Sequence, residues 1–188
     1  MENKSGAKFR GNFIWECWNA WNEDGTRHRD ASGRFARRLK WRDEFHNIVT
    51  NEGLTHILNT ELAGGTAITT WYCGIVETNT APASGMTYAV PSFTECTTYD
   101  EATRPAYVEV VTAQSCTNSA SKAVFTISAT KTIYGAALFG GGSAPTTKGD
   151  TAGGGTLLCY AQASPSRSVV DNDVINLTYT ITAADDGV

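Results

Sequence analysis

The sequence predicts an all-β protein: a two-sheet antiparallel β-sandwich, Ig-like or jelly-roll-like, with one short α-helix near residues 51–62 and an N-terminal β-hairpin or arm. Roughly eight to nine short runs of aromatic and β-branched residues are separated by turn signals, as in sandwiches. The last run, residues 174–182, is apolar at every second position from Ile175 to Ile181, which indicates a strand with one buried face. Glycine is abundant, with 18 of 188 residues, as in proteins with many turns.

The N-terminal hairpin is predicted from alternation and turn chemistry. Residues 9–21 alternate, with Phe13, Trp15 and Cys17 on one face of a strand. Residues 22–34 are rich in turn formers and contain Asp-Gly, a strong hairpin signal. Residues 35–50 then return as the antiparallel partner strand.

The helix is predicted from its capping residues. Thr50 or Asn51 can accept hydrogen bonds from the free N–H groups of the first turn, and the helix dipole favours Glu52 there. The pair Gly64-Gly65 ends the helix, because glycine tolerates the left-handed backbone of a C-terminal cap. The spacing of three and four predicts one apolar face formed by Leu54, Ile57, Leu58 and Leu62.

The rest of the chain is predicted to supply further strands. They cover residues 68–78, 94–98 (a weaker strand), 107–111, 123–129, 132–139, 157–163 and 174–182. Residues 117–121 and the low-complexity residues 143–155 are predicted to connect strands at the surface.

Charge divides the chain into two predicted regions, a basic arm and hairpin of residues 1–40 and a sandwich domain of residues 41–188. The first region is either part of the sandwich or appended to it. Residues 1–50 carry ten Lys and Arg against seven Asp and Glu, whereas residues 51–188 carry five against twelve. A basic arm on an acidic body indicates docking on an acidic neighbour. A solvated hairpin loop is the plainer alternative, and nucleic-acid binding is disfavoured because no known module is recognisable.

The five cysteines stand singly, without a C-x-x-C pair. Cys17, Cys73 and Cys159 lie in apolar runs, where a free thiol packs as a small hydrophobic group. Disulfides formed after release from the cell and a zinc site are alternatives, and the odd number forbids a fully intramolecular set of disulfides. No run has membrane-spanning length. The N-terminus lacks the apolar segment of a signal peptide, so we expect folding in the cytoplasm of the producing cell.

Sequence motifs for catalysis are missing: there is no H-E-x-x-H, G-x-S-x-G, P-loop, dinucleotide or EF-hand pattern. We therefore predict no catalytic, metal-binding or cofactor-binding residues and no enzyme activity. The candidate residues belong instead to an interface, since buried Trp and Arg dominate interface energies. They are Trp18, Trp21, Arg34, Arg37, Arg38 and Arg104.

Each interface candidate has a structural alternative. Trp18 and Trp21 either anchor in a partner's pocket or pack under the protein's own loop. Arg104 precedes a proline, which favours an extended backbone. It either pairs with Asp100 or Glu101 to lock a turn, or forms an ion pair between subunits.

Five segments of the chain resemble a family of small structural proteins of tailed bacteriophages and prophages. The segments are EFHNIVTNEGLTHIL (44–58), TTWYCGIV (69–76), FTECTTYDEATRPAYVE (93–109), TNSASKAVFTI (117–127) and SVVDNDVINLTYTITAADD (168–186). They occur in the family's order over about the last 145 residues. In members of that family the first two strands are usually linked more briefly, so the arginine-rich hairpin is an elaboration.

The resemblance implies a structural component of a tailed-phage virion, assembled in the host cytoplasm. The leading hypothesis is a capsid decoration (cement) protein that binds the shell as a homo-oligomer, with the major capsid protein or another virion protein as its partner. A neck or tail component is the first alternative. A receptor- or glycan-binding sandwich with an aromatic platform on Trp18, Trp21 or Tyr88 is the second.

Overall fold

Two antiparallel sheets and one helix make up the computed structural model, which describes residues 7–22, 24–142 and 146–185. The elements in chain order are β1 (Ala7–Asn19), β2 (Arg38–His46), β3 (Ile48–Val49), α1 (Asn51–Ala63), β4 (Trp71–Val76), β5 (Ala106–Tyr107), β6 (Val110–Thr112), β7 (Ser115–Thr117), β8 (Ala123–Thr126), β9 (Lys131–Gly140), β10 (Thr156–Val169) and β11 (Val174–Asp185). The first sheet has the order β2-β1-β11-β7-β6, with β8 also paired to β11. The second has the order β3-β10-β9-β4-β5. The predicted all-β two-sheet sandwich is confirmed.

The first strand, β1, is an interior strand of the sandwich. It pairs with β2 on one side and β11 on the other, with Trp15 opposite Leu177. Phe13, Trp15 and Cys17 are fully buried, as their alternation predicts. Residues 1–40 were predicted either to be part of the sandwich or to be appended to it. The residues of this region that form β1 are part of the sandwich. Residues 1–6 and 23 lie outside the described residues.

The strand predicted over residues 35–50 is divided between the two sheets. Its first part, β2, pairs with β1, and its last two residues, β3, pair with β10. Asn47 connects them, so the chain crosses from one sheet to the other at this point. The predicted run 107–111 is divided in the same way, because β5 pairs with β4 and β6 pairs with β7.

The helix begins and ends where its caps predict. The Thr50 hydroxyl accepts a 3.0 Å hydrogen bond from the Gly53 N–H, and Gly64 has a left-handed backbone with φ of 69°. The predicted apolar face is wrong in its second half, since Leu58 and Leu62 are 58% and 80% exposed. The reason is that the helix touches the sheet at Gly53. A Cβ atom at this position would lie only 2.5 Å from the carbonyl oxygen of Leu158.

Among the remaining strands, β4, β9, β10 and β11 confirm the predicted runs, although β10 extends further than predicted. The weak strand predicted at 94–98 contributes only an isolated bridge between Glu95 and Val76. Strand β7 was not predicted, and only its last residue, Thr117, falls in the turn predicted over 117–121. The loop predicted over 143–155 is described only from residue 146 onward.

All five cysteines are free thiols. Four are fully buried, and Cys116 is partly exposed. Burial raises the pKa of Cys17 and of Cys159 to about 12. Within the described residues α1, at 13 residues, falls short of the length and apolarity of a transmembrane helix.

Candidate interaction surface

Residues 20–22 and 24–37, between β1 and β2, form a short meander with two turns instead of one open loop. Its middle segment pairs with both neighbours: Trp21 bridges to Arg27, and Arg29 bridges to Phe35. The backbone N–H of His28 donates to the carbonyl of Ala20, and its own carbonyl accepts from the N–H of Ala36. The name meander is used below for this whole connection between β1 and β2.

Each turn of the meander is closed by an aspartate and a glycine. Asp24 accepts hydrogen bonds from the N–H and the hydroxyl of Thr26, at 2.9 and 2.6 Å, and these bonds lower the pKa of its carboxyl. In the second turn, Asp30 accepts from the N–H groups of Ser32 and Arg34, at 2.9 and 3.0 Å. Gly25 and Gly33 follow with φ of 78° and 74°, in the left-handed region. This local chemistry explains why the segment is ordered at the surface.

Two exposed aromatic rings and two arginines form the outer face of the meander. Trp21 is 43% exposed and Phe35 is 56% exposed. The guanidinium of Arg27 lies 5.4 Å from the Trp21 ring and 4.9 Å from the Phe35 ring, and that of Arg29 lies 4.0 Å from Phe35. The four side chains share a face because the bridged pairs are directly opposite and residues 27 and 29 are two apart.

The base of the meander is tied to the sandwich through Asp173. The buried carboxylate of Asp173 accepts from Lys40 Nζ at 2.6 Å, from the Val170 N–H at 2.9 Å, and from the side-chain amide of Asn19. The side-chain oxygen of Asn19, Oδ1, in turn accepts from the Trp21 backbone N–H at 2.6 Å. The exposed end of the meander is therefore held in a fixed direction relative to β1 and β11.

The charge on the meander is positive where it is exposed. Residues 27–37 contain four arginines and one acidic residue, Asp30. The Asp30 carboxylate bonds to backbone N–H groups of its own turn. Arg34 and Arg37 are exposed. The surface thus combines apolar rings with guanidinium groups, a composition enriched at protein interfaces.

The interface residues predicted from the sequence differ in how exposed they are. Trp21, Arg34 and Arg37 lie exposed on the meander. Arg38 is half-buried at its base, where Nε donates to the Trp21 carbonyl at 3.4 Å. Trp18 is half-buried on the outer side of β1, and its indole N–H has no partner among the described residues.

Arg104 is not a surface residue. Its side chain is buried with that of Glu95, and its Nε and Nη2 donate to the Glu95 carboxylate at 2.6 to 3.0 Å. The guanidinium also lies 4.3 Å from the Phe139 ring. The predicted pairing with Asp100 or Glu101 is wrong, because Glu101 accepts instead from the Thr126 N–H. An ion pair between subunits is excluded for a side chain buried in this way.

Three residues of the meander were not predicted from the sequence: Arg27, Arg29 and Phe35. The signal was present: a second aspartate-to-glycine turn at 30–33 brings Phe35 opposite Arg29, as the first turn brings Trp21 opposite Arg27. Tyr88, proposed for an aromatic platform, is buried and donates from its hydroxyl to Asp150 at 2.7 Å.

Residues 7–22, 24–142 and 146–185 contain no group of three or more His, Cys, Asp or Glu side chains that could hold a metal ion.

The fold and surface define a class, an all-β sandwich that presents an ordered aromatic and basic meander at one end. Comparison of the chain with protein-family models and with curated proteins gives no match in either case.

Proposed function

We propose that this protein is a non-enzymatic structural component of a tailed-phage virion, most specifically a capsid decoration protein. The proposal starts from the five sequence segments between residues 44 and 186 that resemble small phage structural proteins. These segments contain the strands β4, β8 and β11 and the first eight residues of helix α1.

The observation that carries an interaction role is the meander. Loops of this length usually expose polar residues, whereas this one exposes Trp21 and Phe35 with arginines stacked on them. Its two turns and its buried anchor at Asp173 fix the surface before any partner binds. A surface ordered in advance loses little conformational entropy on binding.

Binding through this surface suits a particle with many equivalent positions. A positive, aromatic surface fits an acidic and partly apolar patch on a neighbouring virion subunit. When copies are linked as a homo-oligomer, several weak contacts act together and attachment becomes strong. Stabilisation of the shell would follow from these contacts bridging subunit boundaries.

The test is the copy number of the protein in purified particles, measured by quantitative mass spectrometry against the major capsid protein. A ratio near one, or a simple fraction of one, supports a decoration protein. A few to a few dozen copies would place it in the neck or tail. Absence from the particle overturns the structural role.

A further inference from the structure

An open apolar groove lies at the end of the sandwich opposite the meander. Its volume is about 510 Å³. Its floor is formed by the buried core residues Leu138, Leu158 and Tyr179, and one wall is formed by Phe9 and Ile181 of the first sheet. Helix α1 and strand β6 form its sides.

The rim of the groove is apolar and acidic. Val111 of β6 lines it and is 68% exposed, and its neighbours Val108 and Val110 are exposed as well. The charged side chains among the described lining residues are Glu61 on α1 and Glu109 before β6, both carboxylates. The groove therefore suits an apolar side chain flanked by a positive charge.

The meander has that chemistry. It presents Trp21 and Phe35 as apolar groups, and Arg27 and Arg29 lie directly against the rings. Aromatic rings supply a large apolar area with few rotatable bonds, which makes them effective anchors in a groove.

A chain cannot place the meander in its own groove. Phe9, in the groove wall, and Asn19, at the meander base, are at opposite ends of β1. Ten residues of strand at about 3.3 Å each separate them by roughly 33 Å. The meander begins at the far end of β1, so the complementary surface must belong to another molecule.

We propose that the occupant of the groove is the meander of a second copy of this chain, which joins copies head to tail. Such a contact uses two different surfaces on each molecule, so it closes into a ring or extends as a chain. A role for this contact in linking copies on a virion rests on the proposed function. Association of the purified protein can be measured without any particle.

The first experiment is sedimentation velocity of the full chain over a range of concentrations, with Val111→Asp and Phe35→Ser as test variants. We expect each to weaken association at least about tenfold, since one removes the apolar rim and the other an anchor. Val90→Asp is the matched control, because Val90 is 67% exposed but does not line the groove. Far-UV circular dichroism and thermal unfolding verify that each variant is folded.

The second experiment mixes the two test variants. Val111→Asp keeps an intact meander and Phe35→Ser keeps an intact groove. A head-to-tail contact therefore predicts that the mixture forms heterodimers and no larger species. Cys116 lines the groove, so we also expect its alkylation to slow as the wild-type concentration rises.

Three results would overturn the inference: a wild-type chain that stays monomeric at every concentration, association that Val111→Asp leaves unchanged, or a mixture that forms no heterodimer. Variants that still associate in solution but are lost from particles would show that the meander binds the shell instead. Loss of association with a normal copy number on particles would leave the proposed virion role standing.

Discussion

Lys40 Nζ lies 2.6 Å from the carboxylate of Asp173, and the Asp173 side chain is completely buried. Lys40 is in β2 just after the meander, and Asp173 immediately precedes β11. This ion pair joins the strand that follows the meander to the residue that precedes β11. Because Lys40 follows the meander in the chain, the same contact stabilises the sandwich and holds the base of the meander in place.

Lys40→Met should lower the free energy of unfolding by about 2–3 kcal/mol, because it leaves a buried carboxylate without its cation. Lys122→Met is the matched control, since the Lys122 ion pair with Glu16 is more exposed and contributes less than about 1 kcal/mol. Urea unfolding monitored by tryptophan fluorescence measures both. Equal losses for the two variants would contradict the role assigned to Asp173.

Asp30→Ala should loosen the second turn of the meander without unfolding the sandwich. The carboxylate of Asp30 accepts from the N–H groups of Ser32 and Arg34, and alanine leaves both without that acceptor. Limited trypsin digestion should then cut after Arg29 or Arg34 several times faster than in the wild type. An unchanged digestion rate would mean that the turn is held by other contacts.

Arg104→Met should be the most destabilising of these substitutions, at about 3–5 kcal/mol, because Glu95 remains buried without its guanidinium partner. The stability of Arg104→Lys should lie between that of Arg104→Met and that of the wild type, since lysine keeps the charge but not the bidentate hydrogen bonding. The control is Arg42→Met. Arg42 is exposed and lies 3.8 and 3.9 Å from Glu16 and Glu44, so its loss should cost less than about 1 kcal/mol.

Asp43 should make stability depend on pH in the acid range. Its pKa is lowered chiefly by the hydrogen bonds from Arg167, with a further one from the Trp15 indole, although burial acts in the opposite direction. A lowered pKa stabilises the fold above the unfolded value of about 3.9, and this contribution is lost as the pH falls through the lower folded value.

Asp43→Asn should therefore be less stable than the wild type near neutral pH, and the difference should shrink below about pH 4. Urea midpoints measured from about pH 7 down to about pH 2.5 test this dependence. A difference that stays constant over the whole range would show that the carboxylate charge contributes nothing.

Cys116 should be the first thiol to react in the native protein. It is partly exposed, whereas Cys17, Cys73, Cys96 and Cys159 are fully buried. Burial also raises the pKa of each of those four thiols, so little thiolate is present to react. Iodoacetamide labelling followed by mass spectrometry should show one modified site in the native state and five after denaturation. Early labelling of Cys73 would contradict the packing of the core.

The fold class was predictable because its signals are local. The alternation in β1 and β11 identifies the buried face of each strand, and Thr50 and Gly64 identify the ends of the helix. The exposure of Leu58 and Leu62 was not predictable, because it depends on the close approach of Gly53 to β10. Helical periodicity shows which residues share a face, but it does not show which part of that face meets the sheet.

The candidate surface was only partly predictable. Trp21, Arg34 and Arg37 were identified from residue type, and they lie exposed on the meander. Arg104 was misplaced because its partner Glu95 is nine residues away in a segment without regular structure. A preference for nearby carboxylates favoured Asp100 and Glu101 instead.

The sequence by itself determined most of the long strands, the helix caps and the first Asp–Gly turn of the meander, because each depends on residues within a few positions of one another. The tertiary structure alone decided which sheet each strand joins, that Arg104 is buried, and that the meander and the groove lie at opposite ends of β1. These features depend on pairings between distant residues, such as Lys40 with Asp173. Local periodicity carries no information about which distant segments meet.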